Sequence, residues 1–149
     1  MSDPVVLTQP QLGVDESALA GLEPDALVLT ADERRWGRRR VRTRAGRELH
    51  LALPTGSRLT PGQILHVGPD WYVRIEAARE AVLAVRPSSF TEGVRVAFEV
   101  GNRHFTIAVD DGRLLVPDDP AMVQLFDRLG VTYERTRAPF APIGFGQPH

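Results

Sequence analysis

The chain has 149 residues, an apolar fraction of 42% and a formal net charge of −1, which allow one medium domain or two small ones. Cysteine and lysine are both absent, which excludes disulfides, thiolate metal ligands, a cysteine nucleophile and Schiff-base or P-loop lysines. Any transition-metal site must therefore use nitrogen and oxygen ligands. No apolar run approaches the ~18 residues of a membrane span and the N-terminus lacks the features of a secretory signal, so we expect a soluble cytoplasmic protein without a membrane partner.

Charge is distributed unevenly along the first third of the chain. Residues 1–33 carry acidic side chains and no arginine, whereas the next stretch carries Arg34, Arg35, Arg38, Arg39, Arg40, Arg42, Arg44 and Arg47. Such a cluster can bind an acidic protein or nucleic acid, or it can be a solvated strand face whose arginine stems lie along apolar surface. Only Trp36 accompanies it as a base-stacking aromatic residue, so we do not expect a nucleic-acid partner.

Residues 26–86 are predicted to form a small all-β barrel or sandwich, preceded by an N-terminal extension at residues 1–25. Short apolar or alternating runs bounded by proline and glycine turns predict the strands Ala26–Thr30, Arg40–Arg44, Glu48–Leu53, Ile64–Val67, Trp71–Ile75 and Ala81–Val85. His50 falls on the polar face of its strand and His66 precedes a turn. We expect both to be surface histidines, since no further ligand is near either in sequence.

The segment Arg86–Ser89 is the predicted domain boundary, because proline stops strand pairing and a serine can cap a following helix. The next run, residues 90–101, is ambiguous. Its apolar residues fit helical spacing and strand alternation equally well, and its β-branched content favours a strand.

The remaining pattern is clearer. Strands at Phe105–Val109 and Leu114–Val116 flank the hairpin turn 110–112, and a helix follows that is capped by Asp118 or Asp119 and ended by Gly130. A last strand is predicted at residues 131–136, and residues 138–149 are expected to be a flexible tail.

The tetrad Gly101-Asn102-Arg103-His104 joins these segments. Gly101 indicates a tight change of direction, because glycine enters positive φ freely, and the turn would present the imidazole of His104. Imidazole is the commonest protein ligand for nickel, zinc and copper, but a single histidine at a turn can also be an ordinary hydrogen-bonded side chain. A metal site would need other histidines or a second copy of the chain.

Residues 98–104, with the sequence Phe-Glu-Val-Gly-Asn-Arg-His, resemble the signature of UreE-type urease accessory proteins, which are nickel metallochaperones. Further segments resemble the same family in family order: residues 27–40, 49–53, 59–65, 73–85, 125–130 and 138–142. The resemblance implies that residues 90–101 are a helix, with His104 just beyond it at the start of the next strand. The chain would then be α+β, with a ferredoxin-like βαββαβ metal-binding domain at residues 87–137 whose first strand comes from residues 81–86.

The same resemblance implies a carrier and not an enzyme. Nickel(II), or zinc or copper in its place, would be held at a homodimer interface by His104 of both subunits, with His149 of the tail as a further ligand. The receiver would be the urease accessory GTPase and the urease maturation complex, and the β-rich domain would bind partners. This tail has one histidine where many relatives have several, which suggests one site per dimer. Glu99 stands where a histidine often precedes the tetrad and would at most tune the site.

Two other functions compete with the carrier. One is a nucleic-acid- or protein-binding β-barrel that uses the Arg34–Arg47 cluster. The other is a hydrolase with His104 as its base, for which the sequence has neither a nucleophile elbow nor a helical two-histidine motif.

Overall fold

The computed structural model describes residues 5–9 and 14–143. They form two compact units that divide between Ala77 and Ala78. In these two ranges no helix is both long enough and apolar enough to cross a lipid bilayer.

Two three-stranded sheets make up the first unit. Its strands are β1 (Val5–Leu7), β2 (Glu23–Leu29), β3 (Arg38–Arg42), β4 (Glu48–Ala52), β5 (Ile64–Val67) and β6 (Trp71–Ala77). One sheet has the order β1-β4-β3 and the other β2-β6-β5. Each contains one parallel pair, β1 with β4 and β2 with β6, and one antiparallel pair. Short 3-10 helices lie at Glu16–Leu19 and Glu33–Arg35. The all-β prediction is confirmed.

Strand alternation explains the core of this unit. In β4, Leu49 and Leu51 are buried while the side chains between them stay half-exposed, as the period of two requires. The buried cluster is Leu7, Leu27, Leu29, Leu49, Leu51, Leu53, Leu59, Leu65, Val73 and Ile75. The unit therefore begins before Ala26, because Leu7 belongs to the core and β1 pairs with β4. Part of the expected N-terminal extension is built into the fold.

The second unit is ferredoxin-like, as predicted. Its elements are β7 (Arg79–Val85), α1 (Phe90–Asn102), β8 (Ala108–Asp110), β9 (Arg113–Pro117), α2 (Pro120–Leu129) and β10 (Glu134–Pro139). They form a four-stranded antiparallel sheet of order β10-β7-β9-β8. Both helices share one core with the sheet, whose buried members include Leu83, Val85, Val96, Val100, Val116, Met122, Leu125 and Phe126.

The observed boundary precedes β7, whereas the sequence placed it at Arg86–Ser89. The reason is pairing: β7 forms ladders with β9 and β10, so the whole strand belongs to the second unit. Ser89 does cap α1, since its Oγ accepts a hydrogen bond from the Glu92 amide at 3.1 Å. The helix at residues 90–101 is thus confirmed, and it extends to Asn102.

The start of the expected tail is ordered structure. β10 runs to Pro139, Phe140 is only 3% exposed, and the Ile143 amide donates to the carbonyl of Ile107 at 2.8 Å. Residues 138–143 therefore belong to the ferredoxin-like unit. The remainder of the expected tail, including His149, lies outside the described residues.

Candidate metal site

The end of α1 holds His104 in a left-handed backbone conformation. The His104 amide donates to the Gly101 carbonyl at 2.9 Å, and the Phe105 amide donates to the Val100 carbonyl at 3.2 Å. This pair of bonds is the Schellman motif, in which the left-handed residue is usually glycine. Here His104 has that role, with a φ of 62°. The expectation for Gly101 was wrong: it is helical, and the next strand begins at Ala108 instead of at His104.

The side chain of His104 is exposed. A left-handed conformation costs a residue with a Cβ about 1–2 kcal/mol, although histidine tolerates it better than most. Such strain collects where a side chain is needed for function. The backbone motif therefore presents an imidazole to solvent at a position where glycine would be more stable.

The residue before His104 is anchored to the last turn of the helix. Arg103 Nη1 donates to the Glu99 carbonyl at 3.0 Å and to the Glu99 carboxylate at 2.6 Å. The first bond satisfies a carbonyl near the helix end, where the dipole favours a cation. The second balances the positive charge of the guanidinium beside His104.

His104 lacks the partners for a metal site within the described ranges. Across residues 5–9 and 14–143, no three His, Asp or Glu side chains are grouped closely enough to hold one ion. A tight nickel or zinc site needs several such ligands. The missing ligands would have to come from residues outside these ranges, as the prediction for His149 requires, or from a second chain.

The two histidines of the first unit are half-buried, whereas the sequence had suggested exposed surface histidines. His66 packs against Trp71 with ring centroids 5.2 Å apart, and burial lowers the pKa of its imidazole. His50 is half-buried, with its Nε2 lying 3.6 Å from a carboxylate oxygen of Glu48. Each of these imidazoles thus lies next to a residue of its own sheet.

An apolar stripe on α1 was not anticipated. Phe90, Val94 and Phe98 are 89%, 53% and 67% exposed, and their spacing of four residues places them on one helix face. We call this set the α1 stripe. Gly101 continues it toward His104, and a Cβ at Gly101 would meet nothing within 4 Å. The sequence carried the signal as a second apolar stripe beside the buried one at Val96 and Val100.

The expected arginine cluster divides in the structure. Arg34 is buried, whereas Arg44 pairs with Glu76 and Arg47 pairs with Asp25. These arginines therefore help to hold the first unit together. The exposed arginines of β3 are Arg38, Arg39, Arg40 and Arg42.

Comparison with known proteins agrees with the division into two units. The family model described as the N-terminal domain of UreE urease accessory protein matches residues 9–78, and that of the C-terminal domain matches residues 80–147. A urease accessory protein UreE from Burkholderia mallei is 39% identical over 117 residues, which cover 78% of this chain and 58% of the relative. One from Burkholderia thailandensis is 38% identical over 126 residues, or 85% of this chain and 59% of the relative. The chain thus spans a little more than half the length of these relatives.

Proposed function

Since the chain belongs to the UreE urease accessory protein family, we propose that it is a nickel metallochaperone that serves urease maturation. Its cargo is Ni(II), held by His104. The observation that carries the proposal is the exposed imidazole at a left-handed position where glycine would be more stable. No chemical step on a substrate is part of this function.

The proposed site is shared by two chains. Two copies meet about a two-fold axis that brings both His104 side chains together, and each supplies the same surface to the other. The α1 stripe supports this arrangement, because Phe98 is 67% exposed and large exposed apolar side chains grouped on one face mark protein interfaces. Gly101 supports it too. A helical glycine costs about 1 kcal/mol relative to alanine, and close approach of a second chain would account for a glycine at this exposed helical position.

Nickel then lies between two imidazoles, with water and His149 of one or both tails completing its coordination. A small number of protein ligands is suitable for a carrier, because the ligands can be exchanged one at a time with those of a receiving site. Copper binds such ligands more tightly than nickel does, and zinc binds them about as tightly as nickel. Both metals can therefore replace nickel in solution. Binding at an interface also couples metal affinity to dimerisation.

The receivers in this proposal are the urease accessory GTPase and the urease maturation complex, which act in the cytoplasm. The name of the relatives, urease accessory protein, supports this assignment. The ferredoxin-like unit holds the metal, and the β-rich unit is free to bind protein partners.

Calorimetric titration of Ni(II) into the metal-free full chain tests the proposal. We expect about one ion per two chains, loss of this binding in His104→Ala, and retention in the matched control His50→Ala. Binding by His104→Ala equal to that of the parent would overturn the proposed site. For the tail, we expect His149→Ala to bind the same number of ions with lower affinity, because only an additional ligand is lost. An unchanged affinity would remove His149 from the ligand set.

A further inference from the structure

The strand β3 is an edge of its sheet. It pairs with β4 on one side, and no other described strand pairs with it. The bonds at the two ends of the ladder set the pattern: the Leu53 amide donates to Gly37 at 2.7 Å and the Thr43 amide donates to Arg47 at 2.8 Å. Because inward and outward groups alternate along an antiparallel ladder, the backbone groups of residues 38, 40 and 42 face the open edge. Three amides and three carbonyls are thus available to an added strand.

The same three residues place their side chains on one face of the sheet. Arg38, Arg40 and Arg42 are exposed, and successive members of the set are roughly 6.5–7 Å apart along the strand. Val41, between two of them, packs against the core instead. The open backbone edge and a row of guanidinium groups therefore coincide.

These charges are left without carboxylate partners. Elsewhere in the first unit Arg44, Arg47 and Arg74 each pair with a carboxylate. Within the described ranges Arg38 and Arg40 have no such pair, and Arg42 donates to the carbonyl of Gly46 at 3.2 Å. The nearest acidic residue along the ladder is Glu48, which lies opposite Arg42 in the register. The positive charges of Arg38 and Arg40 are thus the least compensated by carboxylates along this edge.

We propose that β3 is a docking edge for an extended acidic segment of a protein partner, which adds to the sheet as an antiparallel strand. Acidic side chains at every second position of that segment lie beside Arg38, Arg40 and Arg42, and its backbone bonds to the open groups of the same residues. Main-chain bonds supply affinity in this mode and the alternating side chains supply specificity. The proposal is independent of the nickel site, which lies in the other unit.

Charge and packing favour this occupant over the two main alternatives. A second copy of β3 would bring like charges together, which is a common protection of edge strands against self-association. Single-stranded nucleic acid needs exposed aromatic faces for stacking. The aromatic residue here, Trp36, is covered by Arg39, whose Cζ lies 3.3 Å from the ring centroid.

The test is fluorescence anisotropy of a labelled peptide of about ten residues that alternates Glu and Thr, added to the full chain. We expect the double variant Arg38→Glu/Arg40→Glu to weaken binding at least about tenfold. The charge-matched control Arg95→Glu/Arg128→Glu changes two exposed arginines of the other unit and should bind as the parent does. Far-ultraviolet circular dichroism checks that both variants fold.

Peptide variants separate strand addition from simple charge attraction. In antiparallel pairing the Glu amides face β3, so N-methylation of the Glu residues should abolish binding and N-methylation of the Thr residues should not. A peptide of the same composition with its Glu residues in one block should bind at least about tenfold more weakly. Equal binding of the blocked peptide, equal effects of the two methylation patterns, or equal loss in the control variant would overturn the proposal. Tighter binding of a single-stranded oligonucleotide, abolished by the same double variant, would assign the edge to nucleic acid instead.

Discussion

His104 and Gly130 occupy equivalent backbone positions at the ends of the two helices of the ferredoxin-like unit. Both are left-handed, with φ of 62° and 70°. In each case the following amide donates to the carbonyl five residues before it, at 3.2 Å after α1 and 3.0 Å after α2. The two helix ends thus use the same motif, but only α2 has the glycine that the motif favours. The exception is the proposed nickel ligand.

Replacing His104 by glycine should therefore make the protein more stable while it removes nickel binding. We expect His104→Gly to raise the free energy of unfolding by about 1 kcal/mol, because glycine enters the left-handed region without a steric penalty. The measurement is urea unfolding of the metal-free chain, since bound metal would stabilise the parent.

The matched control is Gly130→Ala. A Cβ at Gly130 would meet nothing within 4 Å, so its penalty comes from the backbone alone and should be about 1–2 kcal/mol. If His104→Gly is no more stable than the parent while Gly130→Ala is destabilised, the imidazole itself stabilises the turn. The functional interpretation of the strain would then fail.

Elements with a self-contained local signal were predictable from sequence. Alternation in residues 48–52 gave β4 and its buried face, and an acidic cap, a proline and a closing glycine gave α2. The stretch at α1 was not decidable from its own residues. Val96 and Val100 are buried in one core with the apolar residues of α2, which stabilises the helical conformation. This packing overrides the β-propensity of the stretch.

The sequence singled out His104 as a candidate ligand, which stays a prediction, but it did not give the backbone geometry of the turn. The tetrad identified His104, but the positive φ was assigned to Gly101 because glycine is the usual residue for it. Which arginines of the cluster form ion pairs could not be predicted from the sequence either. Arg47 and Arg40 look alike in sequence, and only the fold places Asp25 beside one of them. Long-range partners of this kind have no local signal.

Charge on the α1 stripe should prevent dimerisation. We expect Phe98→Asp to be monomeric at concentrations where the parent is a dimer, because an aspartate would have to be desolvated at the interface. Nickel affinity should fall at least about tenfold, since each chain would then offer a single His104. Sedimentation equilibrium and calorimetry measure the two effects. The control is Gln124→Asp on the exposed face of α2, and a dimer that survives Phe98→Asp would exclude this face as the interface.

The pair of Glu99 and Arg103 should tune nickel affinity through charge. In Glu99→Gln the guanidinium next to His104 loses its compensating carboxylate and repels the divalent ion. We expect affinity to fall about three- to fivefold at low ionic strength and less at high salt. Titrations at two salt concentrations separate this effect from a structural one, which would not depend on salt. Glu76→Gln removes the partner of Arg44 in the other unit and should leave nickel affinity unchanged.

Asp25 is the polar centre of the first unit. Its side chain is 1% exposed and accepts hydrogen bonds from Thr43 Oγ1 at 2.5 Å, from Arg47 Nη1 at 2.9 Å, and from the amides of Ala26 and Ala45 at 2.8 and 3.0 Å. Burial opposes ionisation of this carboxyl, but the bonds from Thr43, Arg47 and the two amides outweigh burial and hold its pKa below the ordinary value. The group is therefore ionised in the folded protein.

The sign of the pH dependence follows from this lowered pKa. The unfolded chain binds a proton at Asp25 more readily than the folded chain does, so the stabilisation is complete above the unfolded-state pKa and is lost as the pH falls toward the folded-state pKa. We expect Asp25→Asn to lose about 1–3 kcal/mol of unfolding free energy at neutral pH and to show a weaker decline in acid than the parent. Urea unfolding of both proteins across the acidic range measures the difference in unfolding free energy. The pKa of His66 is also lowered, but His66 is present in both proteins and its contribution cancels in that difference. Parallel curves for the two proteins would show that the Asp25 carboxylate does not stabilise the fold.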